Sequence, residues 1–468
     1  MRRLDLLPDV ERAFVSLYRE SQNAFWLDSV THGERGRFSF IGDSGGPLGA
    51  VISYDVGDGR VRISRGKEVE VREESIFDYL EWTLRGLRPL TADLPFDFDC
   101  GLVGYFGYEL KADCDGDAAH RARTPDAAFV FADRLIAFDH EQRCTYLLSL
   151  VAPVAGEAER WIEETGERLA APPPLADLEP DSEPIELRLR RSPERYRDDI
   201  EACKRYLNAG HSYEICLTNR LLAEASPDPL ELYRVLRRAN PAPFAAYLRF
   251  GDLAVLSSSP ERFLAIDRHG WAEARPIKGT SRRGETPEED ARLADDLGAD
   301  EKSRAENVTI VDLLRNDLGR VCEIGTVSVP ELMRIETYET VHQLVSSVRG
   351  RLREGIGVAE CVRACFPPGS MTGAPKLRTM EIIDELEGEA RGVYSGAVGY
   401  FGLGGGCDLS VAIRTIVLDE GRATIGAGGA IVVQSDPGAE FEEMLLKACG
   451  PASVLMPDLS LASKSAQR

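Results

Sequence analysis

Residues 393–449 read VYSGAVGYFGLGGGCDLSVAIRTIVLDEGRATIGAGGAIVVQSDPGAEFEEMLLKAC. Runs of apolar and β-branched residues alternate there with glycine clusters, which predicts an antiparallel meander. Its strands run from Val393 to Phe401, from Asp408 to Leu418 and from Ala423 to Val433, with turns at 402–406 and 419–421. Asp436 and Pro437 then cap and open a short helix reaching about Cys449.

Towards the N-terminus, Ser192-Pro193 opens a helix whose stripe of Tyr196, Ile200, Cys203 and Leu207 keeps the helical period and stops at Gly210. Residues 213–222 follow as a strand, 51–70 read as a hairpin around Gly57-Asp58-Gly59, and 101–109 as a strand rich in glycine and aromatic residues. Helices mixed with antiparallel strands, without regular strand–helix alternation, predict an α+β protein. The acidic, proline-rich stretch from Ala171 to Pro193 reads as a linker or crossover. The expected organisation is a first domain at 1–170, a linker at 171–192, a second domain at 193–452 and a flexible tail at 453–468.

With 468 residues, 43% of them hydrophobic, the chain can bury one large core or two fused ones. A net charge of -22 and a pI near 4.9 argue against nucleic acid and anionic membrane as partners, since a polyanion is repelled over most of the surface. No stretch approaches the roughly 18 apolar residues of a membrane span, and Asp5, Pro8, Asp9 and Glu11 stand where a signal peptide needs an apolar core. A cytoplasmic enzyme is expected. The ten cysteines lack metal-site spacing and read as reduced packing residues. Only eight of the 56 basic residues are lysines, and Lys278, Lys376 and Lys447 fall in the segments singled out next.

Four segments carry more chemistry than packing requires. In Pro276-Ile277-Lys278-Gly279-Thr280 an amine stands between apolar residues and a glycine; dehydration there lowers its pKa and makes it a nucleophile or base, the alternative being a surface lysine. On the helix expected from Asp300 to Asp317, Glu306 shares a face with Ile310 and Leu313, so its carboxylate needs a cation: an arginine such as Arg304 or Arg315, or a hard metal. On the last helix Glu440, Glu443 and Lys447 share a face, either as a surface ion pair or with Glu306 and Glu443 sharing a Mg²⁺. The loop from Pro367 to Lys376 can hold an anion at the helix start that follows. Arg414 is placed in a strand with Val411, Ile413, Thr415 and Val417 on the opposite face, as a fork for a carboxylate, and Gly426, Gly428 and Gly429 let a ligand approach the backbone. Together these describe a site for a small dianion.

These residues resemble the chorismate-utilising enzymes, which comprise the anthranilate, aminodeoxychorismate, isochorismate and salicylate synthases. The likeness runs from about Ser192 to Pro451 and rests on Ser259-Pro260-Glu261-Arg262-Phe263, the segment 310–317, the loop 369–376 and Gly396-Ala397-Val398-Gly399-Tyr400; Leu27-Asp28-Ser29 and 101–109 extend it. The resemblance implies the fold of anthranilate synthase component I, with large antiparallel sheets packed as a sandwich among helices. It implies Mg²⁺ on Glu306 and Glu443 with Glu440 close by, chorismate held by Tyr394, Arg414, Lys447 and the Gly428-Gly429 backbone, and Glu261 as the acid that protonates the departing C4 hydroxyl. Lys278 matches the aminodeoxychorismate synthase branch, in which the amine adds at C2 before ammonia enters at C4; the resemblance implies Thr280 as a further catalytic residue and Glu214, Gly279 and His342 as substrate-binding residues. Anthranilate synthases usually carry alanine there, which argues against C2 amination to anthranilate or 2-amino-2-deoxyisochorismate. Glu214 occupies the position of the water-activating lysine of isochorismate synthases and disfavours that chemistry, while His342 does not discriminate.

No glutaminase motif is present, so ammonia is expected from solution or from a separate glutaminase subunit. Asp28 and Ser29 mark a possible regulatory pocket, although Asn240-Pro241-Ala242-Pro243-Phe244 departs from the pattern of tryptophan-regulated relatives. A chorismate-binding protein without turnover is the reading from another class, and the joint presence of Glu261, Glu306, Arg414, Glu443 and Lys447 disfavours it.

Overall fold

The C-terminal stretch is antiparallel throughout, yet it does not stay in one sheet. Ala397–Gly402 pairs with Cys407–Val411, whereas Thr415–Asp419 pairs with Arg422–Ile431 in a different sheet. The run expected as a single strand from Asp408 to Leu418 is therefore two strands. The break falls at 412–414, where Arg414 takes a left-handed backbone conformation (φ 53°) through which a strand cannot continue. Apolar alternation on both sides of the break hides it in the sequence.

The structure is a computed structural model and describes residues 1–30, 36–87, 94–150, 156–175, 185–338 and 341–456. Two antiparallel sheets, each of twelve strands among the described residues, share one apolar core, giving the expected α+β sandwich. In the first sheet Asn23–Asp28 lies between Phe38–Asp43 and Phe244–Phe250. In the second, Gly101–Phe106 lies between Ala127–Ala132 and Ala397–Gly402. Residues before 171 and after 192 thus contribute strands to both sheets. The hairpin expected at 51–70 is Ala50–Asp55 with Arg60–Arg65, extended by Glu68–Arg72.

The helices begin where their caps predict. Ser192 accepts the Arg195 N–H ahead of Pro193–Asn208, Asp300 accepts the Ser303 N–H ahead of Glu301–Gly319, and Asp436 accepts the Ala439 N–H ahead of Pro437–Ala452. Pro193–Asn208 and Pro437–Ala452 pack on the first sheet through Tyr196, Ile200, Phe441 and Met444. Glu301–Gly319 packs with the core of the second through Ile310, Val311 and Leu314. Residues 176–184 of the expected linker and 457–468 of the expected tail lie outside the described residues. The tail is packed as far as Leu455, which is buried and whose carbonyl accepts the Ile185 N–H at 3.2 Å. All ten cysteines are free thiols, and among the described residues no helix is long and apolar enough to cross a membrane.

Two of the places where the chain crosses between the sheets are adjacent. One crossing leads from Leu253–Ser259 to Arg262–Ile266, the other from Cys407–Val411 to Thr415–Asp419. The Val411 N–H donates to the Glu261 carbonyl at 3.0 Å, and the Ser258 N–H donates to the Arg414 carbonyl at 3.1 Å. Glu261 and Arg414, 153 positions apart in sequence (414 − 261 = 153), are neighbours because both sit where the chain changes sheet.

Candidate active site

Lys278 and Glu214 join the two sheets directly. Glu214 opens the strand Glu214–Glu224 of the first sheet, and Lys278 lies on Ile277–Arg282 at the edge of the second. The Lys278 Nζ donates to Glu214 Oε1 at 2.6 Å, and both residues are buried. A register shift between Ile277 and Thr280, with Gly279 at φ +89°, turns the strand at this point; a Cβ on Gly279 would stand 2.6 Å from the Ser303 hydroxyl. The sequence suggested a lysine discharged by apolar neighbours, and the structure corrects this. Burial alone would lower the Lys278 pKa, but the carboxylates of Glu214 and Glu306 outweigh it and hold the amine above the usual lysine range. Chain neighbours at 276 and 277 are apolar, whereas the partners in space are acids.

Glu261 presents the opposite case. Its carboxyl is buried and pushed up to about 7 by that burial, against the pull of the Ser370 hydroxyl, the Lys278 ammonium and the Ile277 N–H. An acid with this value holds its proton in about half of the molecules near pH 7, enough to act as a proton donor. Ser370 belongs to the loop that was read as an anion cradle, and the structure gives that loop another task. The loop docks on Glu214–Glu224, its Ala374 and Thr372 carbonyls accepting the N–H groups of Tyr213 and Cys216 at 2.7 and 2.8 Å. Gly369 lies against Leu313, and Lys376 is tied to Asp317 at 2.7 Å and to the Cys365 carbonyl, so its ammonium holds the loop to the long helix. Beneath the strand, buried Arg391 bridges Glu387 at 2.7 Å and the carbonyls of Cys216 and Met371.

Next to this pair stands an acidic cluster from two helices. Glu306, Glu440 and Glu443 converge on the ammonium of Lys302, at 3.8, 2.6 and 4.0 Å. Neither Arg304 nor Arg315 serves Glu306: Arg304 donates to the Gly298 carbonyl and Arg315 to Asp312. Burial pushes Glu306 up to about 7 against the pull of Lys278. Burial also acts to raise Glu443, but Lys447 at 2.6 Å, with Lys302 and Lys278, holds it below the usual carboxylate range.

Arg414, at its crossing rather than in a strand, donates through Nη1 to the Lys447 carbonyl, which ties the crossing to the last helix. The glycines divide into two kinds. A Cβ on Gly426 would lie 2.1 Å from the Tyr394 ring and one on Gly428 2.3 Å from the Leu217 carbonyl, so protein already fills those two spaces. A Cβ on Gly429 would meet Glu440 Oε2, Lys447 Nζ and Glu443 Oε1 at 3.4–3.7 Å; of the three, its Cα faces the charged cluster. Gly426→Ala should therefore displace the Tyr394 ring and lower stability by about 1–3 kcal/mol, checked by urea unfolding; an unchanged midpoint would show that the ring yields freely.

Residues 43–452 match the family described as chorismate binding enzyme. The chain belongs to that family. It is 52% identical over 459 residues to an aminodeoxychorismate synthase of Streptomyces pristinaespiralis, covering 96% of this chain and 64% of that protein. It is 39% identical over 451 residues to anthranilate synthase component 1 of Pseudomonas aeruginosa, covering 92% of this chain and 89% of that protein. The crystal structure of anthranilate synthase component I from Streptococcus pneumoniae TIGR4 superposes with a TM-score of 0.78 at 30% identity, over 90% of this chain and 93% of that one. The chain thus spans less than two-thirds of the length of the aminodeoxychorismate synthase it matches.

For a member of this family, the acidic cluster is the place to test for a divalent cation. Among the described residues no group of three His, Cys, Asp or Glu side chains is already arranged to hold a metal ion, and Lys302 stands among these three glutamates. The donors nonetheless suit Mg²⁺: they are all carboxylate oxygens, and Glu440 Oε2 is buried without a hydrogen-bond partner. Glu306, Glu440 and Glu443 fit the role.

Two residues named from sequence stand apart. Thr280 is exposed and makes none of the contacts that hold the cluster. The His342 ring is engaged on both sides, Nε2 with Asp290 at 2.9 Å and Nδ1 with Thr337 at 2.8 Å. Asp28 and Ser29 line a separate cavity of about 340 Å³ between the sheets, bounded also by Phe38, Phe244, Arg262 and Tyr400. There Asp28 accepts from Arg237 Nε at 2.7 Å. Sequence reading missed Ser370 and Lys302. Ser370 lies inside a segment already quoted, and Lys302 stands one turn before Glu306, a spacing that could have exposed it.

Proposed function

We propose that the chain aminates chorismate at C4 with ammonia, giving 4-amino-4-deoxychorismate and water without loss of pyruvate. The observation that carries this is the buried Lys278 amine, 2.6 Å from Glu214 and near Glu261, whose buried carboxyl is pushed up to about 7. On substrate arrival Glu214 Oε1 takes the proton from Lys278 Nζ, leaving a neutral nucleophile. Lys278 forms a bond to C2 as the ring double bond shifts and the C4–O bond breaks, and Glu261 gives its proton to the departing hydroxyl, which leaves as water. Ammonia then bonds to C4, the double bond shifts back and the C2–N bond to Lys278 breaks. The proton shed by the new amine returns Glu261 to its starting state, and Glu214 gives its proton back to the released Lys278 amine. Arg414, Tyr394, Lys447 and the Gly428-Gly429 backbone hold the carboxylates of the substrate. Mg²⁺ on Glu306, Glu440 and Glu443 would supply positive charge for one of them.

Ammonia comes from a separate glutaminase partner, the protein acts in the cytoplasm, and the product is a precursor of 4-aminobenzoate for folate or related metabolites. The cavity at Asp28 and Ser29 is a regulatory pocket in this reading. Purified protein incubated with chorismate, Mg²⁺ and ammonium should yield a product that a lyase converts to 4-aminobenzoate. Accumulation of anthranilate would overturn the assignment in favour of C2 amination, the reading supported by near full-length coverage of an anthranilate synthase component.

A further inference from the structure

Lys302 occupies the centre of the carboxylate group and has no part in the chemistry above. Its ammonium is 2.6 Å from Glu440 Oε1, 3.8 Å from Glu306 and 4.0 Å from Glu443 Oε2, so one cation answers acids from two separate helices. Glu440 Oε1 also accepts the Ser435 hydroxyl at 2.6 Å, while Glu440 Oε2 is left buried and unpartnered. A single ammonium therefore fills the cluster incompletely. The Lys302 side chain is 36% exposed, which leaves it a route to solvent.

We propose that Lys302 is a tethered counter-cation that holds the acidic cluster together before metal arrives and is exchanged for the divalent ion. With all three carboxylates ionised, Lys302 and Lys447 leave one negative charge (−3 + 2 = −1), and the adjacent Lys278–Glu214 pair cancels itself. A divalent ion that replaces Lys302 brings the group to neutrality (−3 + 1 + 2 = 0), whereas one added beside it leaves an excess positive charge among buried groups. Exchange is therefore electrostatically favoured over addition. The tether also explains how like charges are kept close: without Lys302, Glu440 loses its ammonium partner and repels Glu306 and Glu443, which loosens the register of the two helices. Metal affinity then carries a built-in reduction, because the binding-competent form is the one with Lys302 swung away. This inference rests on a divalent ion at the three glutamates, and not on which ring carbon is aminated.

Calorimetric titration of metal-free protein with Mn²⁺, without chorismate, tests it. Lys302→Met should bind Mn²⁺ about tenfold more tightly than wild type. Its metal-free form should also melt earlier and regain the wild-type melting temperature once loaded. An unchanged or weaker affinity in the variant overturns the exchange, and absence of binding to the wild type overturns the metal site on which it rests. Should Lys302→Met not fold, amine-directed labelling of the wild type read by mass spectrometry decides, since the chain has only eight lysines. Lys302 should become more reactive on adding Mn²⁺; equal reactivity with and without the ion rejects the proposal.

Discussion

Lys278→Ala should lower the rate of C4 amination by about three orders of magnitude, the scale of a lost nucleophile with its acid–base partner. The same change removes the counter-ion of a buried carboxylate, and stranding one partner of such a pair costs about 3–5 kcal/mol. The two effects must be separated. A Lys278→Ala/Glu214→Gln protein removes both charges and should recover most of the lost stability in urea unfolding while remaining inactive. Recovery of amination by the double variant would show that Lys278 serves the fold and not the reaction.

Glu261→Gln should lower kcat by about 10²–10⁴-fold and alter the pH profile. Since the Glu261 carboxyl is pushed up to about 7, rates expressed per free ammonia should fall as pH rises through that value, as the acid gives up its proton. The variant has no such acid and should lack this limb. Glu306 is also pushed up to about 7 in the metal-free protein, but a metal ligand works ionised, so its titration gives a limb of the opposite sign; a falling limb that survives in the variant removes the acid role from Glu261. The linkage to folding has a matching sign. A carboxyl whose folded value exceeds its unfolded one favours the fold fully at pH below the unfolded value, and this contribution is lost as pH rises through about 7.

What the sequence disclosed were features carried within one helix or one turn. The Asp436 cap and the Glu443–Lys447 spacing of four could be read directly, and both hold. The inward turn of Glu306 followed from its apolar neighbours four and seven positions on, but not the identity of its cations. Those come from Lys302, one turn earlier, and from Lys278 on the edge strand Ile277–Arg282. The state of Lys278 was misread for the same reason: its environment is made by Glu214, 64 residues away in sequence, which no local pattern encodes. The family likeness named Glu261, Glu306, Arg414, Glu443 and Lys447 before any geometry was known. It could not show that Arg414 stands at a crossing between sheets, since the residues on either side of 412–414 alternate as a strand would. Gly426 and Gly428 likewise read as openings, although small residues admit protein as readily as ligand.

Because Gly101–Phe106 has Ala397–Gly402 as one of its two neighbours, a chain emerging from the ribosome carries a bare strand edge until about three hundred further residues have been made. Asn23–Asp28 waits in the same way for Phe244–Phe250. Prematurely terminated fragments should accordingly be sticky and degraded instead of surviving as half-enzymes, and assembly should be slow and dependent on chaperones.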